Sequence, residues 1–166
     1  ELALADLPEA VRRMAGLRDR LQAGILANVP GARVTGDVRQ RLPNTLNVTF
    51  DAVEGEAVVL LLDQAGIAVS SGSACASGAL ESSHVLRAMG LPAGSASGSV
   101  RFSLSRLTTA TEIEKVLLVL PPIVARLRGL ASTAHGAAPA REAPRDEEPA
   151  HDWQPGGRCA KELAHG

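Results

Sequence analysis

The chain has 166 residues, 45% apolar and 21% charged, with a net charge of −1 and aromatic content limited to Phe50, Phe102 and Trp153. That length supports one domain with residues to spare, and the balanced charge leaves no electrostatic footprint for nucleic acid or an anionic membrane surface. Two cysteines, Cys75 and Cys159, make neither a disulfide framework nor a CxxC metal site, so a reducing, cytoplasmic setting is expected. The longest apolar runs, 57–62 and 116–120, are too short to span a bilayer. No membrane contact is expected. No basic stretch followed by an apolar region and a small-residue cleavage site opens the chain. It begins with Glu1 rather than Met, and a fragment of a longer protein is expected.

Asp6-Leu7-Pro8-Glu9 reads as a helix start, with Asp6 as cap and Glu9 three residues on. Val11, Met14, Leu17, Leu21 and Ile25 follow at spacings of three and four, an apolar stripe that Asn28-Val29-Pro30-Gly31 ends. Arg12, Arg13, Arg18, Asp19 and Arg20 occupy the other faces and read as a solvated surface. Strands are expected at 32–35 and 45–50, the second with Leu46, Val48 and Phe50 alternating with Asn47 and Thr49. Residues 54–64 form a helix with an apolar face, stopped near Gly66. Ile67-Ala68-Val69 reads as a buried strand, and 70–80 as a loop of small residues.

A short helix over 83–89 ends at Gly90 and Pro92. Residues 99–105 alternate again, with Val100, Phe102 and Leu104 on one side and Arg101 and Ser103 on the other. Thr109-Ala110-Thr111-Glu112 is a capping box opening a helix through Ile113, Val116, Leu117 and Leu120. Pro121-Pro122 is expected to break or kink it, with 123–130 continuing at a new angle. From 131 to 166 the composition shifts to Ala, Pro, Gly and mixed charge. That segment cannot bury enough apolar surface to offset the entropy of ordering it, and reads as a disordered tail. The body, residues 1–130, is expected to be α+β, one small sheet with helices packed on it.

The segment that carries chemistry is Ser70-Ser71-Gly72-Ser73-Ala74-Cys75-Ala76-Ser77-Gly78. An isolated cysteine is ordinarily a small buried hydrophobe. Flanked by Ser, Gly and Ala on both sides, Cys75 instead suits an accessible thiol whose reactivity depends on nearby positive charge.

The order Leu42-Pro43-Asn44-Thr45-Leu46-Asn47-Val48, Glu54-Gly55-Glu56, the loop around Cys75, Ser83-His84-Val85-Leu86-Arg87-Ala88 and Ser99-Val100-Arg101-Phe102-Ser103-Leu104-Ser105-Arg106 resembles the C-terminal part of cysteine desulfurases. These are pyridoxal-phosphate-dependent enzymes of the class V aminotransferase fold, and the likeness is to the subgroup serving nitrogen fixation and iron–sulfur assembly. It runs from about Leu7 to Leu130. It implies the small C-terminal domain of the fold-type I transferase fold and a homodimer when complete. Cys75 would take sulfur from L-cysteine as a persulfide, leaving L-alanine, and pass it to an iron–sulfur scaffold or carrier protein. Through that persulfide Cys75 would also be a transient iron–sulfur ligand. Arg101 would grip the substrate carboxylate with its guanidinium fork.

Arg106 is assigned to a structural ion pair and His84 to the start of a helix. Asn44 and Asn47 either shape the active-site wall or serve turn and strand edge. Cys159 has no counterpart in the family, while Ala76 and Ser82 stand where Thr and Pro are common. The lysines, Lys115 and Lys161, do not resemble the family's cofactor lysine. The phosphate cup, the ring-stacking histidine and the pyridine-nitrogen aspartate also have no match, so pyridoxal phosphate would be bound mainly by the missing N-terminal part. The chain alone would then be inactive. Rival readings are another class V aminotransferase-fold enzyme, which needs no mobile thiol, and a stand-alone sulfur-relay or remnant module.

Overall fold

The computed structural model describes residues 7–71, 84–91 and 96–135. Within them the chain runs α1 (Leu7–Asn28), β1 (Ala32–Val34), β2 (Thr45–Phe50), α2 (Gly55–Gln64), β3 (Ser70–Ser71), α3 (His84–Ala88), β4 (Ser99–Ser103) and α4 (Ala110–His135). The strands form one four-stranded antiparallel sheet in the order β1-β2-β4-β3. Leu46 faces Phe102 and Val48 faces Val100 across the β2–β4 pair. Alternation therefore turns all of these, and Phe50, to the same side.

That side is the core. Leu46, Val48, Phe50, Val100 and Phe102 pack with Leu21 and Ile25 of α1, Val58 and Leu62 of α2, and Ile113, Val116, Leu120 and Val124 of α4. With three aromatics in the chain, two of them in the sheet, aliphatic side chains fill most of this layer. The other side of the sheet carries Thr45, Asn47, Thr49, Ser99, Arg101 and Ser103, so its polar residues share one surface. The expected α+β architecture, a small sheet with helices against it, is the observed one.

Local chemistry sets the element ends. After α2, Gly66 sits at φ +72°; its N–H bonds to Asp63 O at 2.8 Å and that of Ile67 to Leu62 O at 2.9 Å. This is the paired 5→2 and 6→1 closure that a glycine past a helix end permits. The second capping box forms as read: Thr109 N donates to Glu112 Oε2 at 2.7 Å, and Glu112 N to Thr109 Oγ1 at 3.2 Å. A glycine corner joins the sheet to α2, where Gly55 N donates to Ser97 O at 2.8 Å and Phe50 N to Gly98 O at 3.0 Å.

Several sequence expectations are corrected. Ile67-Ala68-Val69 is not a strand; pairing with β4 begins at Ser70. The closure of α2 commits the N–H of Ile67 to the helix end, so the ladder starts only after the chain has turned. Pro121 and Pro122 do not break α4, which is helical throughout Ala110–His135. Burial of Leu120 and Val124 on either side of the proline pair ties both halves to the core. That contributes about 1.5–3 kcal/mol per residue against the missing N–H bonds. The helix also passes Leu130 by five residues, into the segment read as tail. Its stretch Ala110–Thr133 is long and apolar enough to cross a membrane by length and composition, unlike the short runs counted in the sequence; here Ile113, Val116, Leu120 and Val124 turn its inner stripe onto the core.

The arginines of α1 are not simply solvated. Arg18 is buried, donating to Leu42 O at 2.8 Å and pairing with Asp19 at 2.7 Å. Arg13 spans the carbonyls of Arg106 and Thr108, both at 2.7 Å, and Arg20 pairs with Glu114 at 2.6 Å. Asp6, the first expected cap, lies outside the described residues.

Candidate functional site

Arg101 sits in the middle of β4, with Asn47 of β2 as its cross-strand partner on one side and Ser70 of β3 on the other. Directly opposed residues in an antiparallel pair project to the same face. The three side chains therefore form one row, Asn47–Arg101–Ser70, across three strands on the polar surface. Arg101 is exposed, and among the described residues its guanidinium has neither an ion-pair nor a hydrogen-bond partner. Five donors on a fixed fork stand free to take an anion.

The neighbours of Arg101 are held in place. Ser99 is buried, and its Oγ donates to Asn47 Oδ1 at 2.9 Å. Thr35 N donates to Asn47 O at 2.9 Å, tying the same residue to the strand edge beyond β1. Ser70 Oγ donates to Ser71 O at 3.1 Å. Past the end of β4, Leu104 N donates to Asn44 O at 2.8 Å and Asn44 Nδ2 to Leu104 O at 3.3 Å. Asn44 thus continues the β2–β4 pairing past the end of β4, whereas Asn47, on the inner strand β2, is a member of the row.

Cys75 and Cys159 lie outside the described residues. The described chain reaches Ser71, four residues before Cys75, at the position opposed to Val100 and next to Arg101. His84 opens α3, as expected. Arg106 was expected to make an ion pair; among the described residues its side chain makes none, and its carbonyl instead receives Arg13. The turn after β4 is thus held through its backbone. Ser99 and Ser70 were not singled out in the sequence as neighbours of Arg101. Alternation marks which face they occupy, but not which strands lie alongside.

Pyridoxal phosphate does not fit the described residues by themselves. Lys115, the lysine among them, is exposed on α4. It lines a cavity of about 410 Å³ with Ile67, Val69, Phe102, Leu104 and Val116. Glu112 on the same wall is occupied by Thr109, whose backbone N–H, then hydroxyl, hold its carboxyl below the usual carboxylate range. Ser103 and Thr108 share the walls with aliphatic side chains, and Lys115 is the one basic residue on them among the described residues, opposed by the Glu112 carboxylate, so they offer no cationic cradle for a phosphate. Asp37 is also held below its usual range, by the backbone N–H groups of Gln40 and Arg39. Its carboxylate orders the β1–β2 connection rather than the polar row.

Comparison with known proteins bears on this arrangement. A NifS-like protein from Rickettsia africae superposes with a TM-score of 0.65 at 28% identity, covering 75% of this chain and 31% of that one. A second NifS-like protein gives 0.58 at 30% identity, covering 80% of this chain and 31% of its own. Among curated relatives, a cysteine desulfurase from Cereibacter sphaeroides is 63% identical over 130 residues, 78% of this chain and 33% of the relative. The cysteine desulfurase NifS of Azotobacter vinelandii is 54% identical over 142 residues, 86% of this chain and 35% of the relative. The chain therefore spans about a third of the length of the relatives it matches. Enzymes of this class generally use pyridoxal phosphate. The aminotransferase class-V model matches residues 5–116, and on that match and those identities the chain belongs to the aminotransferase class-V family.

Proposed function

We propose that this chain supplies the sulfur-accepting part of a cysteine desulfurase, with Cys75 as acceptor and Arg101 as the residue that holds the substrate carboxylate. The observation that carries the reading is the pairing of Ser70 with Arg101. It starts the Cys75 segment beside a guanidinium that has no acidic partner among the described residues. Four residues of chain limit the Cα of Cys75 to about 14 Å from that of Ser71, so the thiol is tethered near the donors that would hold L-cysteine. The names of the relatives, cysteine desulfurases, support the same reaction.

In that reaction the Cys75 thiolate attacks the sulfur of L-cysteine. A sulfur–sulfur bond forms and the substrate carbon–sulfur bond breaks. The electron pair stays on carbon, which takes a proton to give L-alanine, while Cys75 is left as a persulfide. A thiolate of an iron–sulfur scaffold or carrier protein then attacks the outer sulfur of the persulfide, the sulfur–sulfur bond to Cys75 breaks and the Cys75 thiolate leaves; before that transfer the persulfide can ligate iron. Pyridoxal phosphate is held mainly outside this chain, in a full-length, cytoplasmic, homodimeric enzyme; the 166 residues by themselves are inactive.

The test is Cys75→Ser in a full-length enzyme whose matching third is this chain. The variant should still bind L-cysteine yet produce less than about 1% of the normal alanine, because a hydroxyl is far less acidic than a thiol and cannot carry the sulfur. Thiol-selective labelling of the unmodified enzyme after turnover should find the persulfide on Cys75 and not on Cys159. Normal alanine production by the serine variant would refute the assignment.

A further inference from the structure

The row beside Arg101 carries a second feature. Asn47 Oδ1 is occupied by the buried hydroxyl of Ser99 at 2.9 Å. A hydroxyl bonded to an amide oxygen must donate, so the bond fixes the amide with its oxygen toward Ser99 and its NH₂ turned away. Among the described residues no acceptor meets that NH₂. Asn47 opposes Arg101 across β2 and β4, so both present only donors from the same face. Two sets of donors on adjacent strands, with no carboxylate paired to them among the described residues, match an anion with more lone pairs than one guanidinium can satisfy. A carboxylate has about four acceptor sites, of which a bidentate arginine takes two.

We propose that Asn47 is a second binding residue for the α-carboxylate of the amino-acid substrate, oriented by Ser99 to donate beside Arg101. This rests on the carboxylate role given to Arg101 above and adds what sets specificity around it. The guanidinium supplies charge and a planar fork. The Asn47 amide takes a further oxygen lone pair, so a planar carboxylate is preferred over a ligand lacking it. Ser99, being buried and bonded to Oδ1, acts only through Asn47 and is a positioning residue.

The decisive variant is Asn47→Asp. An aspartate keeps an oxygen for the Ser99 hydroxyl, so a purely structural role would survive the change. It also removes both donors and places a negative charge next to Arg101, where it competes with the substrate. In a full-length enzyme whose matching third is this chain, Asn47→Asp should raise the KM for L-cysteine about 100-fold or more, with a smaller effect on kcat. Asn47→Ala should raise it about tenfold, the loss of one hydrogen bond to a charged group. The Kd of L-alanine, measured by equilibrium dialysis on folded protein recovered from gel filtration, should rise in parallel with KM. Arg101→Ala is run alongside. If Arg101→Ala weakens both ligands while Asn47→Asp leaves KM and Kd within about twofold of the parent, this inference fails and the role of Arg101 stands. If Arg101→Ala leaves both unchanged, the carboxylate site itself is refuted, and the role of Asn47 with it.

Discussion

Adding one methyl group at Gly98 tests how the site strand is anchored. A Cβ built there would lie 2.4 Å from Phe50 O and 2.8 Å from Val53 O, against an ordinary C···O approach of about 3.3–3.6 Å. The obstacles are backbone atoms, and Phe50 cannot easily give way. Its N–H is bonded to Gly98 O at 3.0 Å, and Phe50 itself pairs with Ala32 on the other side. The start of β4 must therefore move outward, loosening the corner where Gly55 meets Ser97. Overpacking of this kind costs about 1–3 kcal/mol, and a clash with backbone on two sides belongs at the upper end. For a body of this size about 3 kcal/mol corresponds to a fall in Tm of about 10 °C. The assay is urea and thermal unfolding of Gly98→Ala beside Gly16→Ala. At Gly16, on α1, a Cβ would meet nothing within 4 Å, and an alanine should stabilise the helix by about 0.5–1 kcal/mol. Equal stability of Gly98→Ala and the parent, at an unchanged m-value, would show that the close approach of these backbones is not what holds β4.

Leu120 is fully buried beside the proline pair of α4, and Leu120→Ala should cost about 2–5 kcal/mol in urea unfolding; a cost under about 1 kcal/mol would mean that the core does not tie the helix across the prolines. Glu112 has its carboxyl held below the ordinary value of 4.5 by the backbone N–H, then the hydroxyl, of Thr109. The unfolded chain binds that proton more readily than the folded one, so the stabilisation is present above the unfolded value and lost as pH falls through the folded one. Glu112→Gln should show a shallower acid-side loss in urea midpoints taken between about pH 7 and about pH 3; parallel curves for the two proteins would argue against the capping box as the source.

Much of the fold is legible because it is local. The alternation of Leu46, Val48 and Phe50, and of Val100 and Phe102, marks strands and their buried side with no knowledge of what lies alongside. The Thr109–Glu112 box and the stop at Gly66 need only residues within a turn of one another. The resemblance that named Cys75 and Arg101 rests on ordered motifs in the same way. What the sequence could not supply was everything decided by residues far apart along the chain. Ile67-Ala68-Val69 has the composition of a strand, but the closure of α2 claims its first N–H and moves the pairing to Ser70. Pro121-Pro122 reads as a break until the burial of Leu120 and Val124 is counted. Arg18 looks like a surface charge until Leu42 O is found beside it. Above all, the order β1-β2-β4-β3 brings Asn47 and Ser70 to either side of Arg101. Local propensity determines which residues form strands and which way they face. Which strands become neighbours depends on the common core that their inner faces must share, and only the folded chain shows that.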